Sequence, residues 1–314
     1  MKPKIIFITG PTASGKTSLS LFLGKKFNGE IINADSRQVY KYLDIGSGKY
    51  DLYANRRELL ARMDANNGNN TYHLFSIAHP RKNYSLGRWL KDSEKVIQKI
   101  LKKNKLPIFC GGTILYLKAL KEGWILPEVK PDYKLRKELE KKSKKELFEE
   151  IKKLDPQRAK KLDPNNKRRL IRSLEIIYSL GKVPKIKKEP KYDILIIAPE
   201  VEKEKLFRKI KIRLKKRAPG IIKEIKKLKK IGLSWKKIIS FGLEYKWFGM
   251  YVKKIQDSNL KIQNTDLNTT INLCYQDILR FAKRQLRELK KIKEVIWLKD
   301  KKSAKKIVEN FLQN

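Results

Sequence analysis

Gly10-Pro11-Thr12-Ala13-Ser14-Gly15-Lys16-Thr17 carries more chemical information than any other stretch of this 314-residue chain. Its spacing is that of a phosphate-binding loop, G-x-x-x-x-G-K-[ST]. The two glycines let successive backbone amides curl inward around an anion. Lys16 brings a positive charge to phosphate oxygens, and the Thr17 hydroxyl is placed to meet Mg²⁺, the expected cofactor. A glycine-rich turn with a surface lysine would account for the composition but not for the full pattern in its context. That context is a β-branched run, Lys4 to Thr9, followed by a helical pattern from Ser14 to Lys26. The motif implies a polyphosphate with magnesium and is silent on which bond breaks.

Asp35 follows the next apolar run, so it should stand at a strand end facing the loop. Three roles are open to it: holding Mg²⁺ through water, taking a proton from a nucleophile, or capping the segment that begins at Ser36. Ser36, Arg37 and Gln38 add a hydroxyl, a guanidinium and an amide, groups that contact phosphates or base edges. Thr113 follows Gly111-Gly112 and opens a helix. It is either an ordinary N-cap or part of a helix N-terminus offered to a reacting group. Arg168, Arg169 and Arg172 lie three or four residues apart on one helical face, suited to phosphate contacts. Their bland reading is a solvated face with Glu175 bridging Arg172. Arg280 to Gln285, with Lys283 and Arg284, is a basic helical run around Phe281, and an exposed helix would explain it equally well.

Lys and Arg number 76 against 33 acidic residues, a net charge of +43. Such a surface attracts polyanions, with nucleic acid the default partner; proteome-wide lysine enrichment would contribute to the same excess. The charge is uneven, +13 over residues 1–127 and +30 over 128–314. The later part is therefore the expected polyanion surface. Cys110 and Cys274 are the only cysteines and His73 and His79 the only histidines. A disulfide framework, a zinc cluster and a His-based triad are thus not expected, and a reducing cytoplasm is. No apolar run approaches the length of a bilayer span, and the first strand is too short to serve as a signal peptide.

The elements that must position these residues alternate. Strands are expected at 4–9, 30–36, 72–75, 106–110, 192–198 and 295–298, with helices over 86–103, from 113 to about 121, from 203 onward and after 303. Residues 65–71 read as a polar surface loop. This pattern predicts an α/β fold, a P-loop NTPase-like parallel sheet with helices on both faces. Residues 131–181 are almost wholly helical and charged, which predicts an inserted helical lobe. The expected organisation is a core beginning at 1–122, a charged helical lobe at 123–187, and core completion with further basic helices at 188–314. Loops 10–17, 35–38 and 111–113 all lie at strand carboxyl ends, where such sheets bind ligands.

Taken together the motifs resemble the tRNA dimethylallyltransferase (tRNA isopentenyltransferase) family. The resemblance runs through residues 10–17, Asp35-Ser36-Arg37-Gln38-Val39-Tyr40, Asp44 to Lys49, His73-Leu74, Gly111 to Tyr116, Asp155-Pro156, Arg169 to Glu175, Gly181 to Pro184 and Phe281 to Gln285. It implies transfer of a dimethylallyl group from dimethylallyl diphosphate to the exocyclic amine of the adenosine 3′ of the anticodon, by a monomer. The loop Gly10–Thr17, with Arg213, would then hold the departing diphosphate. The resemblance makes Asp35 the base on the amine and puts Thr113 at the reacting adenosine. It gives tRNA contacts to Asp35, Ser36, Arg37, Gln38, Arg168, Arg169, Arg172, Lys283, Arg284 and Gln285. The chain departs from the family at Ser240 to Tyr245 and around Lys209 to Arg217. From the loop alone, an ATP-using small-molecule kinase is the alternative, and a non-catalytic RNA-binding module would leave the loop unused.

Overall fold

The computed structural model describes residues 1–49, 72–258 and 264–314; the predicted loop at 65–71 lies outside them. The chain divides into two compact units, one of residues 1–121 and 191–314, the other of residues 122–190.

The first unit is built on a parallel sheet. Its strands are β1 (Lys4–Ile8), β2 (Gly29–Asn33), β3 (Tyr72–His73), β4 (Leu106–Cys110), β7 (Asp193–Pro199) and β8 (Val295–Leu298). They pair in the order β3-β2-β4-β1-β7-β8, each pair parallel. β1 is covered on both faces, and the period of two decides what each face receives. Ile5 and Phe7 join a cluster with Ile32, Phe109, Trp89 and Tyr116. Ile6 and Ile8 join Leu19, Leu23, Ile108, Ile197 and Val308 on the other side. Full burial of such side chains stabilises by about 1.5–3 kcal/mol each, so the strand bearing the phosphate loop is firmly anchored. β1 leads through α1 (Lys16–Lys26) to β2, and β4, which follows α2 (Leu86–Leu101), lies between these two strands. The chain then crosses to β7 on the far side of β1. That reversal opens a crevice at the carboxyl ends of β1 and β4, the position where open α/β sheets take ligands.

Helix α1 begins at Lys16, two residues later than its apolar pattern suggests. Ala13 (φ 63°) and Gly15 (φ 93°) adopt left-handed backbone, which no helix can include, so the loop keeps its curl up to Lys16. Strand β2 likewise stops at Asn33, three residues short of the expected end, because a turn takes over there. Beyond β7, helices α8 (Lys203–Lys230), α9 (Trp235–Ser240), α10 (Leu243–Ser258) and α11 (Asn264–Lys290) pack around a third core with Val39, Tyr40 and Leu43.

The second unit holds α4 (Tyr133–Leu139), α5 (Lys144–Leu154), α6 (Pro156–Ala159) and α7 (Lys167–Leu180) around Leu147, Ile151, Leu170 and Leu174. Its two ends meet in a short antiparallel ladder of β5 (Trp124–Ile125) and β6 (Lys187–Lys188), Trp124 opposite Lys188 and Ile125 opposite Lys187. Among the described residues no helix is long and apolar enough to cross a membrane.

Candidate active site

Three loops converge at the carboxyl edge of the sheet. The first is the phosphate loop after β1. Gly10 (φ 141°) and Gly15 give it its curvature. Lys16 Nζ donates to the Pro11 carbonyl at 2.5 Å and retains two further protons for an anion. The hydroxyls of Thr9 and Ser14 are buried without a hydrogen-bond partner among the described residues. Unpartnered buried hydroxyls cost stability, and beside a nest of amides they are suited to phosphate oxygens. Burial pulls the Lys16 pKa down to about 8, against the opposing charge of Asp35 and in concert with that of Arg213. Asp35 and Arg213 are therefore both within electrostatic reach of this lysine.

The second loop, 35–38, follows β2. Asn33 sets its geometry from inside the core. Asn33 Oδ1 accepts the Asp35 N–H at 2.9 Å, while Nδ2 donates to the carbonyls of Asp35 and Leu74 at 3.1 and 3.0 Å. Asp35 Oδ1 accepts the N–H of Arg37 at 2.8 Å and of Gln38 at 3.4 Å. The capping geometry is real, but it occupies one carboxylate oxygen; no hydrogen bond engages Oδ2 among the described residues. Arg37 is directed away from solvent, to Glu244 at 2.9 Å. Gln38 donates to the Ser47 carbonyl at 3.2 Å. Ser36 is exposed.

The third loop is Gly111-Gly112-Thr113, between β4 and α3 (Ile114–Lys121). A Cβ on Gly111 would fall 2.1 Å from the Ala34 carbonyl carbon, so only glycine lets the second and third loops touch. Thr113 does not spend its hydroxyl on its own helix. That oxygen accepts the Ser36 N–H at 3.0 Å and ties the two loops together.

Gln285 departs from the surface role assigned to it. It is buried, its Oε1 accepts the Thr12 N–H at 3.1 Å and its Nε2 donates to the Gly112 carbonyl at 2.9 Å. Both ends of its amide are consumed in bracing the phosphate loop against the Gly-Gly-Thr turn. Its neighbours Lys283 and Arg284 are exposed on α11, over the rings of Phe207 and Phe281.

Sequence reasoning missed a buried charge network behind the loops. Glu244 accepts from Arg37 and from Arg217, each at 2.9 Å. Burial alone would raise the Glu244 pKa; the paired guanidiniums outweigh it and hold it ionised. Arg213 lies in the same cluster, its pKa drawn down to about 10 by burial and by the like charge of Arg217. Glu244 sits in the divergent 240–245 segment. Its signal was an acid in an otherwise apolar and aromatic stretch, but its partners lie 27 and 207 residues away.

In the second unit, Arg168 and Arg169 are exposed. Arg172 is engaged with the buried Glu175 and with the Val129 carbonyl at 3.0 Å. Glu175 also takes a two-pronged contact from Arg136, at 2.8 and 2.7 Å. Arg172 is thus largely a structural member of this helix cluster.

A phosphate loop, a strand-end carboxylate and a cationic cluster at one edge of a parallel sheet define a P-loop α/β transferase fold. The chain belongs to the IPP transferase family. That family matches residues 38–291, and the isopentenyl transferase family matches residues 3–71. A tRNA dimethylallyltransferase of Pelotomaculum thermopropionicum is 32% identical, with 99% of this chain and 92% of that protein covered. One of Acetivibrio thermocellus is 33% identical, covering 98% and 96%. Among solved structures, the tRNA isopentenylpyrophosphate transferase of Bacillus halodurans superposes with a TM-score of 0.64 at 29% identity, over 99% and 96% of the two chains. A eukaryotic dimethylallyltransferase solved acting on tRNA gives 0.73 at 26% identity, over 95% of this chain and 74% of its own.

Proposed function

We propose that this protein transfers a dimethylallyl group from dimethylallyl diphosphate to N6 of the adenosine 3′ of the anticodon in tRNA. The observation that carries this reading is the joining of the phosphate loop and the Asp35 turn at one sheet edge: Gln285 links Thr12 to Gly112, and Thr113 in the same turn takes the Ser36 N–H. An anion held by Lys16 and a nucleophile served by Asp35 then meet in one crevice. The kinase alternative is not favoured by the relatives.

The reaction breaks the bond from C1 of the allyl group to the diphosphate oxygen and forms one from N6 to C1. Negative charge gathers on the diphosphate, where Lys16, Arg213 and the amides of 12–17 stabilise it. The surplus N6 proton passes to Asp35 Oδ2, which the turn leaves open. Thr113, tied to Ser36, keeps that carboxylate loop against the end of β4. The target base must leave its stack to reach a crevice of this kind.

Magnesium fits the donor set. Among the described residues no cluster of three or more acidic, His or Cys side chains is present. Thr17 offers a single hydroxyl in the first turn of α1. A site of that kind suits a cation bound chiefly through substrate phosphates, where it would neutralise charge on the leaving diphosphate. Thr17 is the residue that would hold it. The tRNA contacts are assigned to Arg168, Arg169, Lys283 and Arg284, which are exposed, with Ser36 and Asp35 at the crevice mouth. A monomer acting in the cytoplasm suits this reading.

The direct test is incubation of unmodified tRNA with dimethylallyl diphosphate and Mg²⁺, followed by nucleoside mass analysis. One five-carbon unit on the adenosine 3′ of the anticodon is expected. Unmodified tRNA, together with transfer of label from γ-labelled ATP to a metabolite, would reinstate the kinase.

Two further outcomes separate donor from acceptor. Lys283→Ala with Arg284→Ala should weaken tRNA binding and lower the slope of log K against log salt by about 1–2. An unchanged slope removes both from the interface. Gln285→Leu strands the Thr12 N–H and the Gly112 carbonyl, a cost of about 1–3 kcal/mol. Donor KM should rise while tRNA affinity holds; the reverse pattern would return Gln285 to the tRNA surface.

A further inference from the structure

Residues 44–49 form a strap against α8, and Glu224 grips one end of it. Glu224 Oε2 accepts the N–H of Asp44 at 2.8 Å and of Ile45 at 2.7 Å. Its Oε1 accepts the Gly46 N–H at 3.0 Å and the Tyr245 hydroxyl at 2.7 Å. This buried carboxylate therefore takes four neutral donors, three of them backbone, and works as a clamp on the chain rather than as an ion pair. The Tyr245 ring closes the remaining space: a Cβ on Gly46 would fall 2.6 Å from its Cζ.

The other end of the strap is fixed as well. Lys49 is fully buried. Its Nζ donates to the Tyr40 carbonyl, the Ser76 hydroxyl and the Asp44 carboxylate, each at 2.7 Å. Between the two anchors stands Gly48, with φ +77°. Two guanidiniums pack on it so closely that a Cβ there would meet Arg213 Nη2 at 2.6 Å and Arg217 Nη1 at 3.1 Å. The strap is thus one wall of the pocket that confines Arg213.

We infer that Glu224 is a positioning residue for the donor site: it locks the strap, and the strap holds the Arg213 guanidinium beside the phosphate loop. The inference rests on the reading of that loop and Arg213 as the diphosphate site. Arg213 carries a charge that Arg217 and Lys16 both repel. Glu244 offsets part of that repulsion and pairs with Arg217 directly, and the close packing of Gly48 on Arg213 Nη2 limits where that guanidinium can go. With the strap released, Arg213 gains rotamers, and the entropy of fixing them again falls on donor binding. The step that suffers is capture of the diphosphate, because the strap bears on Arg213 directly and on the loop of Asp35 through one Gln38 hydrogen bond.

The test uses the full-length protein with Glu224→Gln and, as a milder change, Tyr245→Phe. Donor KM and kcat are measured at saturating tRNA, and inorganic diphosphate binding is followed by calorimetry. Glu224→Gln should raise donor KM and the diphosphate Kd by about tenfold, with kcat and tRNA KM within about threefold of wild type. Tyr245→Phe removes one of the four donors without touching the charge. It should move the same two quantities in the same direction by a smaller factor, and it carries the test if Glu224→Gln does not fold. A purely structural role predicts a lower kcat with donor KM and diphosphate affinity unchanged, and that result overturns the inference. Wild-type protein that binds no diphosphate would instead strike the donor-site reading itself, and takes this inference down with it. The two failures are told apart by whether they appear in the unmutated chain.

Discussion

Asp35→Asn lowers kcat for prenyl transfer by about 10²–10⁴-fold, the range lost with a positioned general base. The Kd for tRNA stays within about threefold in the same variant, since an amide keeps the loop's hydrogen bonds. Asparagine can still accept the N–H groups of Arg37 and Gln38 through one oxygen. What it loses is the second oxygen's capacity to take the N6 proton. The measurement is single-turnover transfer beside tRNA binding by filter retention. A competing role is readable in the same experiment. If Asp35 served Mg²⁺ through water, saturating Mg²⁺ would restore the rate. A large loss of tRNA affinity with turnover preserved would contradict the assignment outright.

Lys16→Met lowers kcat/KM by about 10²–10³-fold, the scale for removing one stabiliser of developing negative charge. Its pH dependence gives the sharper signature. Burial holds the wild-type lysine near a pKa of about 8, so the free enzyme carries this charge below that pH and loses it above. Bound diphosphate favours the charged form. Binding above pH 8 must therefore take up a proton, and donor KM should rise by up to about tenfold per pH unit there. Below pH 8 the proton is already in place and this contribution is flat. Lys16→Arg keeps its charge throughout and should abolish the rise, at reduced activity from altered geometry. Steady-state donor KM between pH 6.5 and 9.5 checks this; a wild-type KM independent of pH would detach Lys16 from the diphosphate.

Legibility in the sequence followed sequence distance. The phosphate loop was readable because its conformation is set by eight adjacent residues. The Arg172–Glu175 contact was readable because helical neighbours three apart must meet. Gln285 was misread for the opposite reason: its partner Thr12 is 273 residues away, and nothing local marks an amide as a brace. Thr113 was placed correctly at a helix start, yet its hydroxyl serves Ser36, a choice made only when β2 and β4 pair. Glu224 stands in a run of lysines and isoleucines, and charge patterning alone makes it one more exposed acid on a solvated helix. Only the fold shows it buried against the backbone of 44–46.

The ladder joining Trp124–Ile125 to Lys187–Lys188 has a consequence for how such proteins diversify. A segment that departs and returns through adjoining strands is a cassette. The entropy of closing it grows only slowly with the length enclosed. Helices within it can be lengthened, shortened or exchanged while the host sheet keeps its register. On the proposed reading that this lobe meets RNA, the recognising surface can drift inside the cassette, under separate selection from the chemistry encoded outside it.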